Sequence, residues 1–280
     1  MDGLHRYPLR RRGFMMTSLI SGFTLATTRV DAQAIHTDTT GLHVAEVKIP
    51  TSDGDLPAYM AQPTTGGPFP TILVVEEIFG VHEYIRDVCR RFAKQGYLAV
   101  AAEYYARVGD LSKITNMQEL EATVANAPDA QMMSDMDSVA NWAVANGGDG
   151  ARLGMNGFCG GGRQTWLYAA HSNRLKAAVS WYGILDRKPN PNHPRTVLDI
   201  IPLVKCPLLG LYGGEDAANP MNQIREAQAE AKQARVPVEI IIYPDAPHGF
   251  HADYRPSYRP ADAKDGWARA LAWFRKYGVA

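Results

Sequence analysis

Short apolar runs that read as strands alternate with stretches of helical apolar spacing along most of the chain. That rhythm calls for an α/β fold with a mostly parallel sheet and helices on both faces, because parallel neighbours need a helical crossover between them. Residues 44–49 and 56–61 open the pattern as two alternating strands bounded by Pro50 and Pro63, with Asp53-Gly54 as turn chemistry, and predict an antiparallel hairpin. Residues 71–75 form a continuous apolar run, after which Val81, Ile85, Val88, Cys89 and Phe92 recur at helical spacing until Gly96. Cys89 is thereby expected on a core-facing stripe. Further strands are expected at 98–102, 152–158, 177–181, 208–212 and 238–243, with helices around 132–143, 164–171, 221–234 and 262–277. Between two of those strands, Pro189, Pro191 and Pro194 forbid regular pairing and predict an ordered surface loop or lid. No repeat, low-complexity tract or linker interrupts 35–280, so one domain is expected there.

The first 34 residues belong to a different kind of segment. Arg10-Arg11-Arg12-Gly13-Phe14 leads into an uncharged apolar stretch to Thr28, and Ala32-Gln33-Ala34 supplies small residues for cleavage. This predicts an export signal over 1–34 of twin-arginine type and a periplasmic mature protein. The stretch falls short of the ~20 residues of a spanning helix, so no stable membrane insertion is expected after cleavage. Lys plus Arg and Asp plus Glu both number 29, which removes the field that would draw the chain to nucleic acid or anionic lipid. A small, compact partner fits better. Cys89, Cys159 and Cys206 cannot build a disulfide framework, and they lack the spacings of a zinc site. Neither a metal nor an organic cofactor is expected.

The densest chemical signal is Gly157-Phe158-Cys159-Gly160-Gly161-Gly162, set between a predicted strand and a predicted helix. It has the form of a nucleophile elbow, a turn so tight that residues two before and two after the nucleophile must be small. Gly157 and Gly161 meet that demand. A phosphate loop is the competing pattern, and it lacks the Gly-Lys-Ser/Thr it would need. A thiol nucleophile needs a base and an acid to orient it. Asp216 follows the strand ending at Tyr212, with Glu215 as its rival; His248 follows the strand ending at Tyr243, with His251 and His171 as rivals. Nucleophile, acid and histidine in that order, each just past a strand's C-terminal end, is the arrangement of α/β hydrolases.

With these motifs in register the chain resembles the dienelactone hydrolase (carboxymethylenebutenolidase) family of α/β hydrolases over essentially all of the mature chain. Glu76-Glu77-Ile78-Phe79-Gly80, Tyr104-Tyr105-Ala106-Arg107, Trp181-Tyr182-Gly183, Gly213-Gly214-Glu215-Asp216 and His248-Gly249-Phe250 carry the resemblance together with the elbow. It implies that Glu77 neighbours the cysteine, with Glu76 as the alternative, and that the N–H groups of Ile78 and Gly160 form an oxyanion hole. It also implies that Arg107 pairs with a substrate carboxylate. A protonated thiol beside Glu77 would resist oxidation until substrate arrives. Tyr182, with Trp181 just past a strand end, is a candidate either for the pocket wall or for core packing.

One position departs from the family. Ala252 stands where the lactonases carry a second carboxylate-binding arginine, which leaves Arg255 or Arg259 as candidates to replace it. The expected function is hydrolysis of a small ester or lactone through Cys159 and an acyl-enzyme. The alternatives are a general exported carboxylesterase or thioesterase on the same triad, a non-catalytic ligand-binding homologue, and a thiol redox protein, which would lack a resolving cysteine.

Overall fold

The computed structural model describes residues 34–280, so the expected export signal falls outside the described residues except for Ala34. Eight strands make one sheet: β1 (Leu42–Thr51), β2 (Gly54–Pro63), β3 (Phe69–Val75), β4 (Leu98–Ala102), β5 (Gly148–Phe158), β6 (Ala177–Trp181), β7 (Leu208–Gly213) and β8 (Val238–Tyr243). Their order is β1-β2-β4-β3-β5-β6-β7-β8. β1 pairs antiparallel with β2, β2 antiparallel with β4, and every later pair is parallel. The opening hairpin and the parallel core are as the sequence predicts.

The helices are α1 (Glu83–Lys94), α2 (Met117–Val124), α3 (Asp129–Ala145), α4 (Gly160–His171), α5 (Val197–Ile200), α6 (Met221–Ala231) and α7 (Pro260–Lys276). Side chains of a central strand alternate between two cores: Ile72 and Val74 join Phe92 and Phe274 on one side, while Leu73 and Val75 join Met136, Trp166 and Ile224 on the other. Burial on both faces is why β3 and β4 read as unbroken apolar runs. Cys89 and Cys206 are small core residues, and burial pushes the Cys206 thiol up to about 12. Among the described residues, no helix is long and apolar enough to cross a membrane.

The sequence pattern gives no sign of α2, α5 or the single 3-10 turns at Leu111–Lys113 and Ile201–Leu203. They are too short for a periodicity to register. α4 begins at Gly160, four residues before the expected start, because a glycine run has poor helix propensity and here is held in place by packing. A Cβ on Gly161 would stand 2.3 Å from the Glu76 carbonyl oxygen and 2.5 Å from that of Val75; one on Gly157 would stand 2.3 Å from the Gly161 carbonyl oxygen. These are backbone atoms with little room to yield. Gly161→Ala is therefore expected to destabilise the fold by about 1–3 kcal/mol, read as a lower urea midpoint at unchanged m-value.

Candidate active site

β5 ends in the elbow. Cys159 has φ 54° and ψ −115°, and its N–H donates to the Trp181 carbonyl at 3.0 Å. Tyr182, just beyond the adjacent β6, has φ 39°. Among the described residues these are the two non-glycine residues with positive φ, a strain of order 1–3 kcal/mol each that surrounding packing must hold. Cys159 thereby sits at the C-terminal edge of the sheet, where β3, β6, β7 and β8 also deliver their loops.

The loop after β7 brings in Asp216 and the loop after β8 brings in His248. The His248 Nδ1 and Asp216 Oδ2 lie 2.8 Å apart. Asp216 also accepts from the Ala218 N–H at 2.8 Å and from the Asn219 side-chain amide at 3.0 Å. Burial works against its charge, but His248 and these donors outweigh it and hold the carboxyl below the ordinary range. Burial likewise opposes the His248 imidazolium, yet Asp216 and Cys159 together raise its proton affinity well above the usual histidine value. His248 Nε2 is buried and has no hydrogen-bond partner. The rivals are elsewhere: Glu215 is exposed, His171 pairs with Asp137, and His251 is buried with Nδ1 on the Tyr84 hydroxyl at 2.6 Å.

Cys159, Gly160, Ile78 and His248 share the lining of one cavity of about 300 Å³, room for a small organic molecule. A Cβ on Gly160 would stand 2.9 Å from Ile78 Cγ2, so the two expected oxyanion-hole residues face each other closely. Gly160 also opens α4, where first-turn N–H groups have no partner within the helix. Tyr105, Arg163, Gln164 and Arg187 are among its other lining residues. Away from the cavity, His36, Glu83 and Asp87 bring ligand atoms within 4.8 Å of one another, but Arg90 and Arg91 already engage the two carboxylates.

The sequence model of the dienelactone hydrolase family matches residues 56–278. The chain belongs to that family. A protein of Methylorubrum extorquens described as "Putative carboxymethylenebutenolidase" is 53% identical over 97% of this chain and 94% of its own length. One of Escherichia coli strain K12 with the same description is 47% identical over 94% of this chain and 98% of its own. The crystal structure of a "Putative Dienelactone Hydrolase" from Klebsiella pneumoniae superposes with a TM-score of 0.83 at 48% identity, covering 84% of this chain and 99% of that one. The sheet order and the elbow are thus those of the α/β-hydrolase fold.

Two candidate substrate-binding residues, Arg107 from the family pattern and Tyr182 from its place at a strand end, stand outside the cavity lining. Arg107 is drawn away from the cavity: its Nε donates to both carboxylate oxygens of Asp53, at 2.9 and 3.1 Å, and Nη1 reaches Asp135 on α3. The hairpin turn and the helix offer it carboxylates, and it lines no part of the Cys159 cavity. Tyr182 is no pocket wall either. It is fully buried, and its ring meets that of His248 edge-on at 5.0 Å, supporting the imidazole from behind.

Glu77 is buried behind the cavity, where Oε2 accepts from the Tyr254 hydroxyl at 2.7 Å and from Arg255 Nη2 at 3.3 Å. Burial raises its carboxyl, but Arg255, His82 and Tyr254 outweigh burial and lower it to about 2. Of the two candidate arginines, Arg255 thus enters the buried network, while Arg259 caps backbone carbonyls of Pro256 and Tyr258. Glu76 has another role. It accepts the Tyr104 N–H at 2.9 Å, and burial together with Glu103 pushes its carboxyl well up. Sequence reasoning did not single out Arg163 or Arg187, both of which line the cavity; the position of Arg187 past the end of β6 was a usable signal in a parallel sheet.

Arg255→Met strips Glu77 of its cation and is expected to cost about 3–5 kcal/mol in urea denaturation at pH 7, with Glu77→Gln in the same chain restoring much of it. The folded carboxyl lies below its unfolded value of 4.5, so its contribution is complete above that pH and is lost as pH falls through about 2. Glu77→Gln alone should flatten the acid limb of the stability profile.

Proposed function

We propose that the protein is a carboxylic ester hydrolase that opens small esters or lactones through Cys159. The observation that carries this is the convergence of Cys159 and the His248–Asp216 pair on a cavity lined by Ile78 and Gly160. The descriptions of the relatives support lactone or ester as the substrate class. His248 Nε2 takes the thiol proton as sulfur attacks the carbonyl carbon, and the N–H groups of Ile78 and Gly160 stabilise the oxyanion. Collapse breaks the C–O bond, and His248 returns the proton to the leaving oxygen, which in a lactone stays tethered to the acyl chain. Water, deprotonated by His248, then cleaves the thioester and regenerates the thiol. Asp216 orients the imidazole and stabilises its cation throughout.

Assay of the mature chain on a dienelactone and a neutral aryl ester tests this. Cys159→Ala should lower turnover by about 10³-fold or more, and rapid quenching should trap one acyl group on Cys159 by intact mass. Turnover that persists in Cys159→Ala would sink the nucleophile assignment. Export through the twin-arginine-like segment is part of the same proposal. N-terminal sequencing of the secreted protein should begin at Ile35; a mature protein that retains Arg11 and Arg12 would refute cleavage.

A further inference from the structure

Packing against backbone accounts for two of the three glycines that follow Cys159, and leaves one over. A Cβ on Gly161 would meet the carbonyls of Val75 and Glu76, and one on Gly162 would meet the Trp181 carbonyl and the Gly183 backbone. Gly160 is different. Outside its own helix and chain neighbours it meets only two side-chain atoms: a Cβ there would stand 2.9 Å from Ile78 Cγ2 and 3.3 Å from the Tyr105 hydroxyl. The absent side chain thus leaves room for a phenol oxygen beside the peptide assigned to the oxyanion hole.

Tyr105 lies in the turn that follows β4, and that turn is held to the loop after β3. Glu76 accepts the Tyr104 N–H at 2.9 Å, and the Tyr105 carbonyl accepts from Val108 N–H at 3.0 Å. Glu76 and Ile78 are two residues apart, so the carboxyl that fixes the turn and the peptide of Ile78 ride on one loop. The Tyr105 ring is buried in the core that also holds Leu120 and Val124, and the residue lines the cavity with Cys159 and Gly160. Among the described residues its hydroxyl has no hydrogen-bond partner. Tyr104 and Tyr182 also have unpartnered hydroxyls, but theirs are sealed in the interior, whereas Tyr105 opens on the cavity. Burial, then Glu76 and Cys159, push the phenol above its ordinary value, so it remains a proton donor at neutral pH.

We propose that the Tyr105 hydroxyl is a third donor to the oxyanion, acting with the N–H groups of Ile78 and Gly160, and is thereby a further catalytic residue of the Cys159 reaction. The inference rests on the hydrolase reading and deepens it by one residue. A ground-state carbonyl oxygen is a modest acceptor. As sulfur bonds to carbon, negative charge gathers on that oxygen, and a preorganised hydroxyl gains most at that point. The phenol keeps its proton throughout; His248 alone carries the thiol proton to the leaving oxygen, so the balance of the reaction is unchanged.

The test compares Tyr105→Phe with Tyr97→Phe, a control buried in the opposite core, on 4-nitrophenyl butyrate. Tyr105→Phe keeps the ring and removes a hydroxyl that no described residue bonds, so it should fold with a urea midpoint near that of the wild type. Acylation and deacylation each pass through an oxyanion, so the burst and the steady-state rate should fall together in Tyr105→Phe, kcat by about 100-fold with KM within about twofold. Tyr97→Phe should keep wild-type rates. An unchanged kcat in Tyr105→Phe, a loss carried by KM, or an equal loss in Tyr97→Phe overturns the assignment while the hydrolase stands. If the ester shows no Cys159-dependent turnover, the hydrolase reading fails, and 1,1,1-trifluoro-2-heptanone decides the donor separately, because a thiolate adds to its ketone to give an oxyanion. Cys159-dependent binding about tenfold or more weaker in Tyr105→Phe than in the wild type supports the donor; equal binding, or none that depends on Cys159, refutes it.

Discussion

Everything at the site depends on how closely the start of α4 is pressed against the ends of its neighbouring strands. Gly161 lies against the carbonyls of Val75 and Glu76, and Gly162 against that of Trp181, at separations that exclude a side chain. This contact forces the left-handed backbone at Cys159 and brings the first turn of a helix to the spot where β3 releases Ile78. A looser junction would relieve the strain, and it would also move the thiol away from the loops after β7 and β8.

Around that junction, buried charges do the work of position. Asp216 is answered by His248 and Asn219, Glu77 by Arg255 and Tyr254, Asp129 by Arg163 and His193, and Asp253 by Arg91. Such pairs add little net stability over well-packed apolar groups, but removing one partner is costly, so each fixes where two distant segments meet. Glu77 and Arg255 are 178 residues apart in the chain and tie the loop after β3 to the segment following His248. The same loop supplies Ile78, which couples the geometry of that wall to a charge pair outside the cavity.

Asn219 joins two further parts. Its amide donates to Asp216, its oxygen accepts from Leu185, and so the acid that orients His248 and the wall that carries Arg187 share one bracket. The aromatic rings of Tyr182, Phe158 and Phe250 pack the space behind, with Tyr182 edge-on to His248.

Much of this was legible in residues alone. Strand and helix periodicity, the glycines around Cys159 and the order Cys159, Asp216, His248 are local spacings, and local backbone sterics give them their meaning. The 3-10 turns and α2 were not legible, since eight residues with Met117, Leu120 and Val124 buried make too short a stripe. Nor was the assignment of cations. An arginine side chain spans several ångströms and goes to whichever carboxylate the folded backbone sets within reach. Sequence by itself determined that a thiol, an imidazole and a carboxylate would crown a parallel sheet. Only the tertiary structure decided that Asp53 and Asp135 capture Arg107, that Glu77 captures Arg255, and that Arg187 lines the cavity, because ion pairing follows distance in space and not spacing along the chain.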